Sequence, residues 1–152
     1  MKQKPWYHKG LCFECTQCGD CCSGASGLVV FEPEEGQAMA ERLKVSYEEF
    51  LERYAVLTDD GWSLKEVPAP NGTDLDCILL QRDPESGKTS CSVHQARPTQ
   101  CRTWPFWPGN LRSPRSWHRA ARECEGIDCG PRVPLQEIEQ QRRATPSILG
   151  VR

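Results

Sequence analysis

Short apolar runs stand apart in a mostly polar chain, and each predicts a small element. Leu28-Val-Val-Phe31 reads as a strand. Glu32-Pro33-Glu34-Glu35 reads as a helix entry, with proline in the first turn and acids at the positive end of the dipole. That helix is expected to run to about Leu43, with Met39 and Leu43 on one face. Ser46-Tyr-Glu-Glu49 has the form of a capping box, and Tyr47, Phe50, Leu51 and Tyr54 recur at helical spacing. Both helices read as packing elements.

Asp59-Asp60-Gly61 marks a turn, and Ser63-Leu-Lys-Glu-Val67 alternates as an edge strand does. Pro68 to Asp74 is a loop. Cys77-Ile-Leu-Leu80 and Thr89-Ser-Cys91-Ser-Val93 predict a hairpin across Asp83-Pro-Glu-Ser-Gly87, with Cys77 and Cys91 together at its open end. Ser113-Pro114 opens a helix through Arg122, and Pro134 opens a last one to about Arg143. The chain shows no repeat and no low-complexity tract.

Composition changes this picture. Leu, Ile, Val and Phe make up 28 of 152 residues, just under the ~20% at which disorder becomes a fair reading. Disorder also needs a large net charge, and here it is only -2,. A thin core with 10 cysteines fits a fold held by cross-links, either disulfides or metal. Met1 to Gly10 has no apolar leader, and no stretch approaches a membrane span. Adjacent Cys21 and Cys22 also sit awkwardly in a disulfide framework. Metal ions and a cytoplasmic location are therefore expected, with no membrane partner.

The cysteines concentrate in Cys12-Phe-Glu-Cys15-Thr-Gln-Cys18-Gly-Asp-Cys21-Cys22, and Cys77, Cys91, Cys101, Cys124 and Cys129 follow. A C-x2-C step turns two thiolates toward one ion, and consecutive steps eased by Gly19 describe a loop wrapped around metal. Closure of the site by the later cysteines would hold distant parts of the chain together.

In this pattern the sequence resembles the YkgJ-like cysteine-cluster family, whose members are thought to chelate zinc or iron. The resemblance rests on C-x2-C-x2-C-C at Cys15, Cys18, Cys21 and Cys22, and on C-I-L-L at Cys77. It continues with C-S-V-x-x-x-R-P-x-x-C-R-x-W-P from Cys91 to Pro105 and ends at Cys124-Glu-Gly126-Ile127. It implies metal ligation by Cys15, Cys18, Cys21, Cys22, Cys77, Cys91, Cys101 and Cys124. Cys12 and Cys129 are extra thiols, and His94 stands where the family usually has tyrosine. Relatives include flagellin lysine methylases, longer enzymes with a similar cysteine set, so a part in a methyl-transfer system is one implied role.

Eight sulfurs fill two tetrahedral sites, or serve one four-iron cluster with four to spare. Neighbouring side chains in extended chain point apart, so Cys21 and Cys22 suit the boundary between two adjacent centres. C-x2-C knuckles favour zinc generally, whereas an all-cysteine set also suits iron and sulfide. The expected cofactor is an iron-sulfur cluster or iron, with zinc as the alternative. Around Cys101, Arg97 and Arg102 can offset thiolate charge, and they are placed with His94 in the surrounding shell.

Residues 97 to 122 carry six arginines and no acid, whereas residues 32 to 76 carry twelve acids and four bases. The arginine stretch with its tryptophans resembles a single-strand grip, but a pI of about 5.9 argues against nucleic acid. There is no G-x-G-x-x-G, P-loop or G-x-S-x-G, so no catalytic motif stands apart from the cysteines. The expected fold class is α+β: a small, irregular, cysteine-rich single domain with a few short strands and about four helices, organised around a metal centre. Residues 1–11 read as a lead-in, 12–130 as the metal-binding domain, and 131–152 as a C-terminal helix and tail. The function class is redox or metal handling, with a redox or protein partner, or a zinc-stabilised structural or interaction module.

Overall fold

The structure, a computed structural model, describes residues 2–146; the end of the expected tail lies outside the described residues. In chain order the first elements are β1 (Leu11–Phe13), β2 (Ser23–Gly24), α1 (Pro33–Leu43), α2 (Tyr47–Tyr54), β3 (Ala55–Thr58), β4 (Gly61–Leu64) and β5 (Glu66–Pro68). Then come β6 (Leu75–Cys77), β7 (Leu80–Arg82), β8 (Thr89–Cys91), α3 (Thr99–Thr103), α4 (Pro108–Leu111), α5 (Pro114–Ala121), β9 (Ile127–Val133) and α6 (Leu135–Ala144). Two 3-10 turns, Asp20–Cys22 and His94–Ala96, complete the set. The fold is α+β, with small sheets of two or three strands among the described residues.

The four longer helices are those that the caps and periodicity mark. At the head of α1 the Glu32 and Glu35 carboxylates each accept the other's backbone N–H, so the reciprocal cap forms one helix earlier than expected. Ser46 caps α2 through its Oγ, which accepts the Glu49 N–H at 3.1 Å. Ser113 caps α5 in the same way, accepting from the Ser116 N–H. Such caps satisfy donors that a helix start leaves unpaired. The additional helices α3 and α4 have 5 and 4 residues, too short to show a period.

The strands differ more from expectation. Leu28 to Phe31 is extended, but it joins the β3–β4 hairpin through an isolated bridge from Val30 to Ser63 and a bond from the Val29 N–H to Ser63 Oγ rather than as a full strand. Its other side is covered by a buried side chain. Gln100 Oε1 accepts the Val30 N–H at 3.0 Å, and its Nε2 donates to the Leu28 carbonyl at 2.7 Å. An amide thus stands where a strand would pair. The edge strand expected from Ser63 to Val67 divides at Lys65: β4 pairs with β3, and β5 pairs with β6.

The expected hairpin is also corrected. Its strands are β7 and β8, with Leu80 opposite Cys91, whereas Cys77 lies in β6 between β2 and β5. The chain therefore changes sheets between Cys77 and Leu80. Finally, β9 pairs antiparallel with β1, Leu11 opposite Val133, across a bulge after Cys12. Gly130-Pro131 within β9 reads locally as a turn, which hides this strand.

Two hydrophobic clusters form. One joins Tyr7 and Leu11 to Phe106, Trp117, Ile127 and Ile138, so the lead-in and the last helix pack on the body. The other holds Phe31, Met39, Phe50, Leu64, Leu79 and Val93. No helix among the described residues is long and apolar enough to cross a membrane.

Candidate metal centre

The cysteine loop is fixed at both ends by short-range devices. At its start the Glu14 N–H donates to the Gly126 carbonyl at 3.1 Å, and Thr16 Oγ1 donates to Glu125. Gly126 leaves no room for a Cβ against the Glu14 carbonyl, so the two segments touch backbone to backbone. The chain then turns through left-handed conformations at Gln17 (φ 57) and Gly19 (φ 83). Glycine takes such a φ without steric penalty, and here a side chain would also strike Thr89. Thr89 Oγ1 donates to the Gln17 carbonyl at 3.2 Å, tying the loop to β8.

After the 3-10 turn, β2 pairs with β6 with Ser23 opposite Asp76. Continuing that antiparallel register sets Cys22 across from Cys77. The junction is locked by polar contacts. The Asp76 carboxylate accepts from Ser23 Oγ at 2.7 Å and from Arg82 Nε and Nη2 at 2.9 Å each. Nothing in the sequence marks Ser23, Asp76 and Arg82 as a set.

These connections bring six cysteines from four segments around one cavity of about 50 Å³: Cys15, Cys21 and Cys22 from the loop, Cys77 from β6, Cys91 from β8 and Cys101 from α3. Leu64, Leu79 and Val93 close its apolar side, and His94 and Arg97 line it too. Organic-ligand pockets run to several hundred Å³, so this space suits an ion or a compact inorganic group. Cys18 and Cys124 are not part of the lining. They stand near enough to each other for the Cys124 charge to contribute to raising the Cys18 pKa, after the larger effect of burial. Cys12 and Cys129 belong to the β1–β9 ribbon, away from the cavity wall. All ten cysteines are free thiols.

Residues 14–125 match the model of the CxxCxxCC family, described as a "putative zinc- or iron-chelating domain". The match covers about three quarters of the chain. This protein belongs to the CxxCxxCC family. No solved structure shows a significant match. Of the four cysteines spelling the family's motif, Cys15, Cys21 and Cys22 line the cavity, whereas Cys18 does not.

The donor set fits the family's metals. Thiolates are soft ligands suited to zinc and to iron with sulfide. The thiols gather at the scale of the cavity: among the described residues no three His, Cys, Asp or Glu side chains stand close enough to hold one ion. Cys21 Sγ and Cys22 Sγ are 3.9 Å apart. Closing the donors onto an ion therefore takes side-chain movement.

Electrostatics separates the thiols. The hydrogen bond from Cys22 brings the Cys21 pKa down to about 7. The same bond, followed by burial and the neighbouring sulfurs, pushes Cys22 up. This pair sheds one proton readily and resists losing the second. Burial raises Cys101, and the Cys77, Cys21 and Cys91 charges add to it; burial likewise raises Cys91. Arg97 opposes the rise at both positions and helps to lower Cys21. Arg102 takes a different place. Its Nη2 donates to Thr99 Oγ1 at 3.0 Å and lies 3.8 Å from Glu35 Oε1, outside the cavity lining.

His94 has its pKa lowered by burial and then by Arg97. Its Nε2 is buried with no hydrogen-bond partner among the described residues. Thr89 and Gln100, which place the loop and the Leu28–Phe31 segment, were read only as parts of a strand and of a cysteine motif.

Proposed function

We propose that this chain is a cytoplasmic metal-binding protein that holds an iron-sulfur cluster, or two neighbouring metal centres, for redox or metal handling. Residues 12–130 form the binding unit, with Cys15, Cys18, Cys21, Cys22, Cys77, Cys91, Cys101 and Cys124 as ligands. The observation that carries this reading is the gathering of six free thiols from four separate segments around one small cavity. Cys18 and Cys124 lie off that lining, and a second centre fed by the same loop would take them.

Bound there, iron with sulfide would supply one-electron chemistry, whereas zinc would supply a fixed cross-link. The chain's own part is to present deprotonated sulfur, to offset its charge through Arg97, and to exclude water with Leu64, Leu79 and Val93. Second-shell donors of this kind orient ligands and tune a metal site.

Anaerobic purification followed by metal and acid-labile sulfide analysis, with absorbance before and after dithionite, tests the reading. Iron with sulfide and a bleachable visible band supports the redox form. A colourless protein with zinc supports the alternative, a zinc-stabilised structural or interaction module, which the C-x2-C spacing of the first loop favours. Protein without metal, under conditions where it stays folded, overturns both.

A further inference from the structure

We propose that His94 is a direct metal ligand, donating Nε2 to the centre that Cys91 and Cys101 face, so that this cavity offers sulfur and nitrogen together. The inference rests on the reading of the cavity as a metal site and goes beyond it by changing the donor set.

His94 opens a 3-10 turn three residues after Cys91, and it lines the same cavity as the six thiols. Its backbone is held on both sides. Val93 before it is buried in the middle cluster and accepts from the Ala96 N–H at 2.7 Å. Arg97 Nε donates to the His94 carbonyl at 2.9 Å. The ring is thus presented from a fixed turn rather than from a loose loop.

The imidazole Nε2 is buried without a hydrogen-bond partner. Native folds rarely leave a buried polar atom in this state without an ion or a water to meet it. The lining is mainly sulfur and aliphatic carbon, with Gln17, Thr89, Ser90 and Arg97 as its other polar side chains, and among the described residues none of these bonds the ring nitrogen. Arg97 is a donor only and cannot accept from an imidazole N–H. A nitrogen lone pair among thiolates is a donor that zinc, cobalt and iron all accept at about 2.0–2.1 Å for zinc. Exchange of one thiolate for a neutral imidazole also removes one negative charge from a site that Arg97 alone faces with positive charge.

The chain has 3 histidines, His8, His94 and His118, so the assignment can be read without altering His94. The double variant His8→Gln/His118→Gln, labelled with 15N-histidine, is loaded anaerobically with Co2+ and examined by pulsed electron paramagnetic resonance and cobalt-edge X-ray absorption. The expected result is a directly coordinated 15N coupling and an imidazole scattering shell beside the sulfur shell. His94→Gln in the natural background should lose both signals and weaken Co2+ binding by at least the roughly 10–100-fold that loss of an outer-shell partner costs. Co2+ bound by sulfur alone in the double variant overturns the inference and leaves the proposed metal site standing. Failure of the natural chain to retain Co2+, zinc or iron overturns both.

Discussion

Around Trp117 the molecule buries stacked rings among aliphatic side chains, and around Leu79 it buries a similar mixture that reaches a wall of sulfur. In the terminal cluster Phe106 stacks on Trp117 with centroids 5.7 Å apart, Phe13 meets Phe106 edge-on, and Trp117 Nε1 donates to Asp128 at 2.9 Å. In the middle cluster Met39, Phe50, Leu79 and Val93 are almost fully enclosed, yet one flank, formed by Leu64, Leu79 and Val93, is the wall of the thiol-lined cavity. The first core is filled by side chains, the buried Cys124 among them. The second stops at a space whose lining is six thiols, and whatever binds there completes it. A chain with few aliphatic residues can thus divide its stability between aromatic stacking at one end and coordination at the other.

The largest test of that division is removal of the metal. In the zinc form, chelation removes about 10–16 kcal/mol of apparent binding energy. Hydrogen exchange should then show lost protection first in residues 15–22 and 91–101, with β9 and α6 retaining theirs; equal loss in both regions would break the comparison. Next in size is Trp117→Ala, expected to destabilise the terminal cluster by about 3–5 kcal/mol. Urea unfolding measures the loss, and unchanged metal content in the folded variant shows that the cores are separable.

Gln100→Ala sharpens the comparison from the other side. It leaves the Val30 N–H and Leu28 carbonyl without the amide that pairs them. A penalty of about 1–3 kcal/mol is expected for each group that water cannot reach, again read by urea unfolding, with the exchange of residues 28–31 accelerated.

The smallest effect is a pH effect confined to the terminal cluster. Hydrogen bonds from Arg142 and Tyr7 hold Glu139 at about 2, below its ordinary 4.5. A depressed carboxyl contributes stability above its unfolded pKa and loses it as pH falls from about 4.5 toward about 2,. Glu139→Gln should flatten that part of the acid limb by about 1 kcal/mol, solvent screening included. Tyr7 marks the alkaline side: burial and Glu139 raise it to about 12, so its contribution is lost only as pH climbs from about 10 toward that value,.

Helices were legible because their signals are local. Pro33, Ser46, Ser113 and Pro134 each mark a start within a few residues of the element they begin. Strands of three residues carry no usable period, and the place of Cys77 depends on β2 and β5, partners distant in sequence. The first cysteine loop was visible because its C-x2-C spacing is local, whereas Cys77, Cys91 and Cys101 join its cavity through the fold. Arg97 and Arg102 stand on either side of Cys101 in sequence, and only the fold places one on the cavity lining and the other beside Glu35. The sequence places His94 near the cysteines, but enclosure of its ring nitrogen is a property of the assembled fold.

Asp76 sits one residue from Cys77, and its partner Ser23 sits one residue from Cys22. The bonds that join them, braced by Arg82, use oxygen and nitrogen and need no inorganic guest. This seam fixes the segments that carry Cys22 and Cys77 against each other through contacts that involve no ion. Under the proposed reading, a protein that has lost its ion would keep this junction, and refilling would ask for side-chain closure rather than renewed strand pairing.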